Sequence, residues 1–199
     1  SVDNVIVHGI PRKDVILQEG NIIGIDFGAF KHGFCGDSAR TIMIGKVSDA
    51  ARKLVEATKH ALDLAIARCV PGNRLQDVGW AVQSFVEPLG YSVVRKFVGH
   101  GIGRAMHEDP QVPNYGEPNK GIRLKTGMVL AIEPMINAGR RDIKELGYGW
   151  TIVTRDRSLS AQWEHTVLVT ETGYEVLTVS AGSPPPPSWI TRSTPAIAA

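Results

Sequence analysis

Glu133 and Glu164 restrict the folding of this chain more than any other residues. Each interrupts an apolar run, MVLAIEPMI around Glu133 and AQWEHTVLVT around Glu164, and in both the flanking residues continue a strand-like pattern. A turn does not explain either one. An ionised carboxylate inside a buried strand costs on the order of several kcal/mol unless something positive meets it. The fold therefore has to bring a cation to both.

Two aspartates and two histidines are the natural company. Asp26 closes the short run NIIGIDF, and Asp37 opens a strand after the Gly-rich turn of KHGFCGDSARTIMIG. Taken singly, Asp37 beside Gly36 suits a turn and Asp26 suits a cap. In the stretch from Val98 to Asp109, VGHGIGRAMHED, His100 lies between Gly99 and Gly101, and His107 follows after a short turn-prone segment. Glycine in a strand-like run marks close approach to the backbone, and imidazole binds metal or moves a proton.

An internal repeat ties these groups together. Val7-His8-Gly9-Ile10 resembles Gly99-His100-Gly101-Ile102. Ile25-Asp26 after Gly20 parallels Ile132-Glu133 after Gly127, and Asp37 leads into a strand as Glu164 does. The pattern predicts two halves related by a pseudo-twofold axis, with four carboxylates and His8 and His100 at one centre. Two divalent ions would match the four negative charges. An oxygen-rich set with the single imidazole of His100 suits Mn, Fe, Co or Zn. A pair of such ions lowers the pKa of a shared water from about 15.7 toward about 7 and supplies a nucleophile at neutral pH.

The remaining features bound the answer. Residues 1–180 suffice for one domain, whereas residues 181–199, AGSPPPPSWITRSTPAIAA from Ala181, read as a Pro-rich disordered tail. A formal net charge of +2, with the charges interspersed, gives no support to nucleic-acid or membrane binding. Cys35 and Cys69 do not make a disulfide scaffold, and neither a leader nor a long apolar span is visible, which points to the cytoplasm. Two amphipathic helices are expected. The first is capped by Ser48, with Leu54, Val55, Leu62, Ile66 and Cys69 inward. The second opens at Asn73 with Gln76, buries Leu75, Val78, Val82, Phe85, Val86 and Leu89, and ends at Gly90. His107-Glu108 begins an H-E-x-x-H pattern, but Gln111 replaces the second histidine and Pro110 would break the helix. No P-loop, dinucleotide fingerprint or serine elbow is present.

The blocks NVIVHGIP, GIDFGAFKHGFCGDSART, VGHGIGRAMHEDPQVPNYG, VLAIEPMI and RSLSAQWEHTVLVT together resemble the type I methionine aminopeptidases from Ser1 to about Val179. The resemblance implies the α+β pita-bread fold, two pseudo-symmetric halves with a curved antiparallel sheet covered by helices. It implies a dinuclear centre (Co, Mn, Fe or Zn) held by Asp26, Asp37, His100, Glu133 and Glu164, with Asp37 and Glu164 shared between the ions. It also implies removal of the initiator methionine from nascent polypeptides when the next residue is small. In that scheme Glu133 shuttles a proton and His107 polarises the scissile carbonyl. Asp26 holds the α-amine, His8 contacts the peptide beyond the scissile bond, and Met106 and Trp150 line the methionine pocket, although plain packing would also account for these last two.

The family carries a helical pair and an early strand ahead of the point matching Ser1, so a chain without them is expected to be less stable and less active. X-Pro peptidases share the fold, but their pattern has a further histidine four residues before the His100 position, where this chain has Lys96. A non-catalytic binding module on the same fold would lose metal ligands that this chain keeps. A monomer is expected. The loop GRRDIKELG, with Arg140, Arg141 and Lys144, reads as a solvated turn, or as a basic contact to the ribosome near its exit tunnel.

Overall fold

The computed structural model describes residues 1–179, so the expected tail at 181–199 lies outside the described residues. The first large element is a hairpin of β2 (Ile22–Lys31) and β3 (Phe34–Met43), in register from Ile22 opposite Met43 to Lys31 opposite Phe34. His32 and Gly33 form its turn with φ of 52° and 85°. A two-residue turn with both φ positive matches the twist of the paired strands, so the ladder runs unbroken to the tip. Both aspartates consequently sit farther inside their strands than the sequence suggests: Asp26 is mid-strand, and Asp37 is the fourth residue of β3.

Helix α1 (Asp49–Ile66) opens as expected, with the Ser48 hydroxyl accepting from the Ala51 N–H at 3.2 Å, and it buries Leu54, Val55, Leu62 and Ile66. Helix α2 (Leu75–Val86) starts later than Asn73. Its opening is fixed by Asp77 rather than Gln76, the Asp77 carboxylate accepting from the Arg74 N–H at 2.7 Å. The chain then tightens into a short 3-10 turn, Glu87–Leu89, ended by Gly90 in the left-handed conformation. That change of pitch rotates Leu89 out of the apolar stripe, leaving it exposed rather than in the core.

The remaining strands are β1 (Val5–Val7), β4 (Ser92–Val93), β5 (Gly99–Gly101), β6 (Glu108–Val112), β7 (Val129–Ile132), β8 (Met135–Asn137), β9 (Ile143–Glu145), β10 (Ile152–Thr154), β11 (Ser160–Gln162), β12 (His165–Val169) and β13 (Tyr174–Val176). They form a five-stranded sheet in the order β13-β12-β7-β5-β6 and two three-stranded sheets, β11-β8-β4 and β1-β10-β9, every pair antiparallel. Strand β9 falls within the basic loop, so GRRDIKELG is partly an edge strand rather than only a turn.

Glu133 and Glu164 are not mid-strand. Strand β7 ends at Ile132 and β8 begins at Met135 in a different sheet; β11 ends at Gln162 and β12 begins at His165, again in the other sheet. The two segments change sheets together, β7 pairing with β12 and β8 with β11, and each glutamate stands at the corner. Pro134, which has no N–H to give a ladder, fits the break. Helix α1 packs over this corner, and Leu54, Leu62, Ile66, Leu130, Ile132, Ile136 and Val167 share one core with α2.

Candidate metal centre

One cavity of about 280 Å³ is lined by Asp26, Asp37, His100, Glu133 and Glu164, with His8 and His107 at its wall. The hairpin supplies the aspartates from one face, since Asp26 and Asp37 follow the alternation that also directs Gly24, Gly28 and Ala39. The sheet corner supplies the glutamates, and β5 supplies His100. Donor atoms of Asp37, His100 and Glu164, all buried, lie within 4.8 Å of one another.

Glycines make this approach possible. A Cβ on Gly99 would stand 2.2 Å from the Ala131 carbonyl oxygen, and one on Gly101 would stand 2.2 Å from that of Asp109. Side chains there would force apart the strands that flank His100.

The His100 ring has a definite orientation. Its Nδ1 faces the Gly101 carbonyl oxygen at 2.9 Å, and a carbonyl only accepts, so Nδ1 carries the hydrogen. Burial holds the imidazole pKa below its ordinary value, which favours the neutral ring. The Nε2 lone pair then points at carboxylate oxygens, 3.5 Å from Glu133 Oε1 and 3.9 Å from Asp37 Oδ2. Lone pairs face one another across the cavity.

The carboxylates show the same excess of negative charge. Burial, with Asp26 and Asp37 adding to it, holds Glu133 well above the usual carboxylate range; Glu164, 2% exposed, is raised by burial and by Glu133. Asp26 lies on the open side and stays accessible, yet partial shielding and the nearby Asp37 raise it too. Asp37 Oδ1 is buried with no hydrogen-bond partner among the described residues. An orphaned carboxylate oxygen, an aimed imidazole lone pair and converging acids fit divalent cations.

His107 lies beside His100, ring centroids 4.4 Å apart. The loop carrying it is held by the Glu108 carboxylate, which accepts from the Ala105 N–H at 2.8 Å. His8 has a left-handed backbone, φ 60°, and its ring stacks on Trp150 at 4.8 Å between centroids. Trp150 is 55% exposed, so core packing does not account for it. Met106 is half-buried against Gly28, where a Cβ would stand 2.6 Å from its Cε. Neither Trp150 nor Met106 lines the acidic cavity itself.

Sequence reading missed four polar residues beside the cluster. Gln162 Nε2 donates to Glu133 Oε2 at 3.4 Å, and Asn114 Nδ2 donates to the Glu133 carbonyl at 3.1 Å. Thr41 and Thr166 bind backbone across the site. Gln162 and Thr166 carry a usable signal, since they flank Glu164 at plus and minus two; Asn114 carries none.

Antiparallel sheets under two helices, with carboxylates and an imidazole gathered at a sheet corner, define a metallohydrolase of the pita-bread fold. The chain belongs to metallopeptidase family M24, which it matches over residues 1–171. It is 52% identical over 178 residues to methionine aminopeptidase 1 of Bacillus subtilis, covering 89% of this chain and 71% of that protein. The crystal structure of a methionine aminopeptidase from Thermotoga maritima superposes with a TM-score of 0.89 at 46% identity, covering 90% of this chain and 72% of that one. A prolidase from Pyrococcus furiosus is more distant, with a TM-score of 0.67 and 26% identity over 85% of this chain and 44% of its own.

Proposed function

We propose that this chain is a methionine aminopeptidase that removes the initiator methionine from nascent polypeptides whose second residue is small. The observation that carries the reading is the cluster of Asp37, His100 and Glu164, with an unpartnered buried carboxylate oxygen on Asp37 and the His100 lone pair directed at acids. Asp26, Asp37, His100, Glu133 and Glu164 would hold two divalent ions of the Mn, Fe, Co or Zn type. When bound, such ions supply Lewis-acid activation of water and of the peptide carbonyl.

The chain's own groups do the rest. Glu133, at the sheet corner beside His100, takes a proton and returns it to the departing amine. His107 donates toward the scissile carbonyl oxygen as charge develops there. Asp26, on the open side, orients the substrate's free α-amine. His8 contacts the peptide beyond the scissile bond, while Trp150, stacked on His8, and Met106, against Gly28, form the walls for the methionine side chain.

No helix among the described residues is long and apolar enough to cross a membrane. Action as a cytoplasmic monomer, with Arg140, Arg141 and Lys144 available for ribosomal contact, completes the reading. Arg140 and Arg155 border a surface cleft together with Asp142 and Asp156, so any such contact meets mixed charge.

The test is turnover of a Met-Ala peptide and an X-Pro peptide by the cobalt-loaded protein. Release of methionine, abolished by chelation, is expected. A metal-loaded protein that cleaves neither peptide, or prefers X-Pro, would overturn the reading.

A further inference from the structure

The aspartate hairpin joins the glutamate corner by an unusual seam. Strand β3 does not share a ladder with β11 or β12. One main-chain bond crosses, from the Glu164 N–H to the Ala39 carbonyl at 2.9 Å. On either side of it a threonine hydroxyl takes the place of a strand. Thr166 Oγ1 accepts from the Asp37 N–H at 3.0 Å and donates to the Asp37 carbonyl at 2.8 Å. Thr41 Oγ1 donates to the Gln162 carbonyl at 2.8 Å and accepts from the Gln162 N–H at 3.0 Å. Both hydroxyls are buried.

The rungs fall at alternate residues, Thr41 to Gln162, Ala39 to Glu164 and Asp37 to Thr166, and the last ends on a candidate ligand. Thr166 thus grips both backbone groups of Asp37 from the start of β12, two residues past the corner that carries Glu164. The hydroxyl satisfies a donor and an acceptor at once, so its loss leaves two buried backbone groups unpaired.

We propose that Thr166 is a positioning residue: its hydroxyl fixes Asp37 against Glu164, and so sets how tightly a divalent cation shared by those two carboxylates is held. The proposal rests on the metal-centre reading above. Valine has the shape of threonine without the hydroxyl, whereas serine keeps the hydroxyl and loses a methyl. A contact outside the ligand shell that orients a ligand typically changes metal affinity about 10–100-fold.

Cobalt(II) binding, followed by calorimetry and by the visible absorption of the bound ion, is measured for the unmodified chain, Thr166→Val, Thr166→Ser and Thr41→Val, along with melting of each metal-free protein. Thr166→Val should bind cobalt at least about 10-fold more weakly with an altered spectrum. Thr166→Ser should stay near the unmodified value. Thr41→Val, which breaks the opposite rung and reaches a ligand only through Gln162, should melt lower while losing clearly less cobalt affinity than Thr166→Val. Unchanged affinity in Thr166→Val would overturn the proposal, as would equal losses in Thr166→Ser or in Thr41→Val, since general loosening would then explain the effect. An unmodified chain that binds cobalt no better than its Glu164→Gln variant would overturn the metal-centre reading itself, and the proposal with it.

Discussion

The aspartates and the glutamates reach the same cavity from different kinds of structure. Glu133 and Glu164 project from a corner whose neighbours, Leu130, Ile132 and Val167, are fully enclosed. Asp26 and Asp37 come from a hairpin whose opposite face shows Ile25, Phe27, Phe34 and Ile42 to solvent, Phe27 being 69% exposed. One half of the cluster is held by a core and the other by a seam of hydroxyls. A cation in the cavity would therefore tie a less supported element to a well supported one, so metal binding and the order of the hairpin should be coupled.

The sharpest way to break this comparison is chemical. Glu133→Ala, read in steady-state turnover of a Met-Ala peptide, should lower kcat about 10²–10⁴-fold, the range for losing a positioned proton carrier. Full turnover would remove Glu133 from the chemistry. Stability should divide along the same line. Leu130→Ala opens a cavity in the core and should cost about 2–5 kcal/mol in urea unfolding. Phe27→Ala removes a larger side chain from an exposed face and should stay within about 0.5 kcal/mol. Similar losses for the two would show that the hairpin is buttressed as firmly as the corner.

Chelation comes next. With metal at about 100 times its dissociation constant, removal should cost about 2.7 kcal/mol. Amide exchange should quicken at Asp37 and Glu164 on the seam while Val167 stays protected. The smallest effect concerns the thiols. Cys69 is fully enclosed and burial pushes its pKa from 9.0 up to about 12. Because the folded-state value lies above the unfolded one, this group leaves stability intact below about pH 9 and erodes it as pH rises toward about 12. Cys69→Ala should flatten part of that decline in urea midpoints, and a thiol reagent should modify Cys35, which is half-buried, before Cys69.

Much of this was legible beforehand. The Ser48 cap and the stripe from Leu54 to Ile66 follow helical spacing, and the need for a cation near Glu133 and Glu164 follows from carboxylates set in apolar runs. The departures have physical reasons. Alternation along a strand does not say which sheet the strand belongs to, so the shared corner at Glu133 and Glu164 was invisible. Leu89 kept the helical spacing but lost its place when the helix tightened into a 3-10 turn. The grip of Thr166 on Asp37 joins residues 129 apart, and local pattern is silent at that range.

The corner has one further consequence. A residue standing where the chain passes between two sheets is anchored from both sides yet belongs to the alternation of neither. Any change that moves one sheet against the other would therefore carry both acids with it, because each is tied to the two sheets at once.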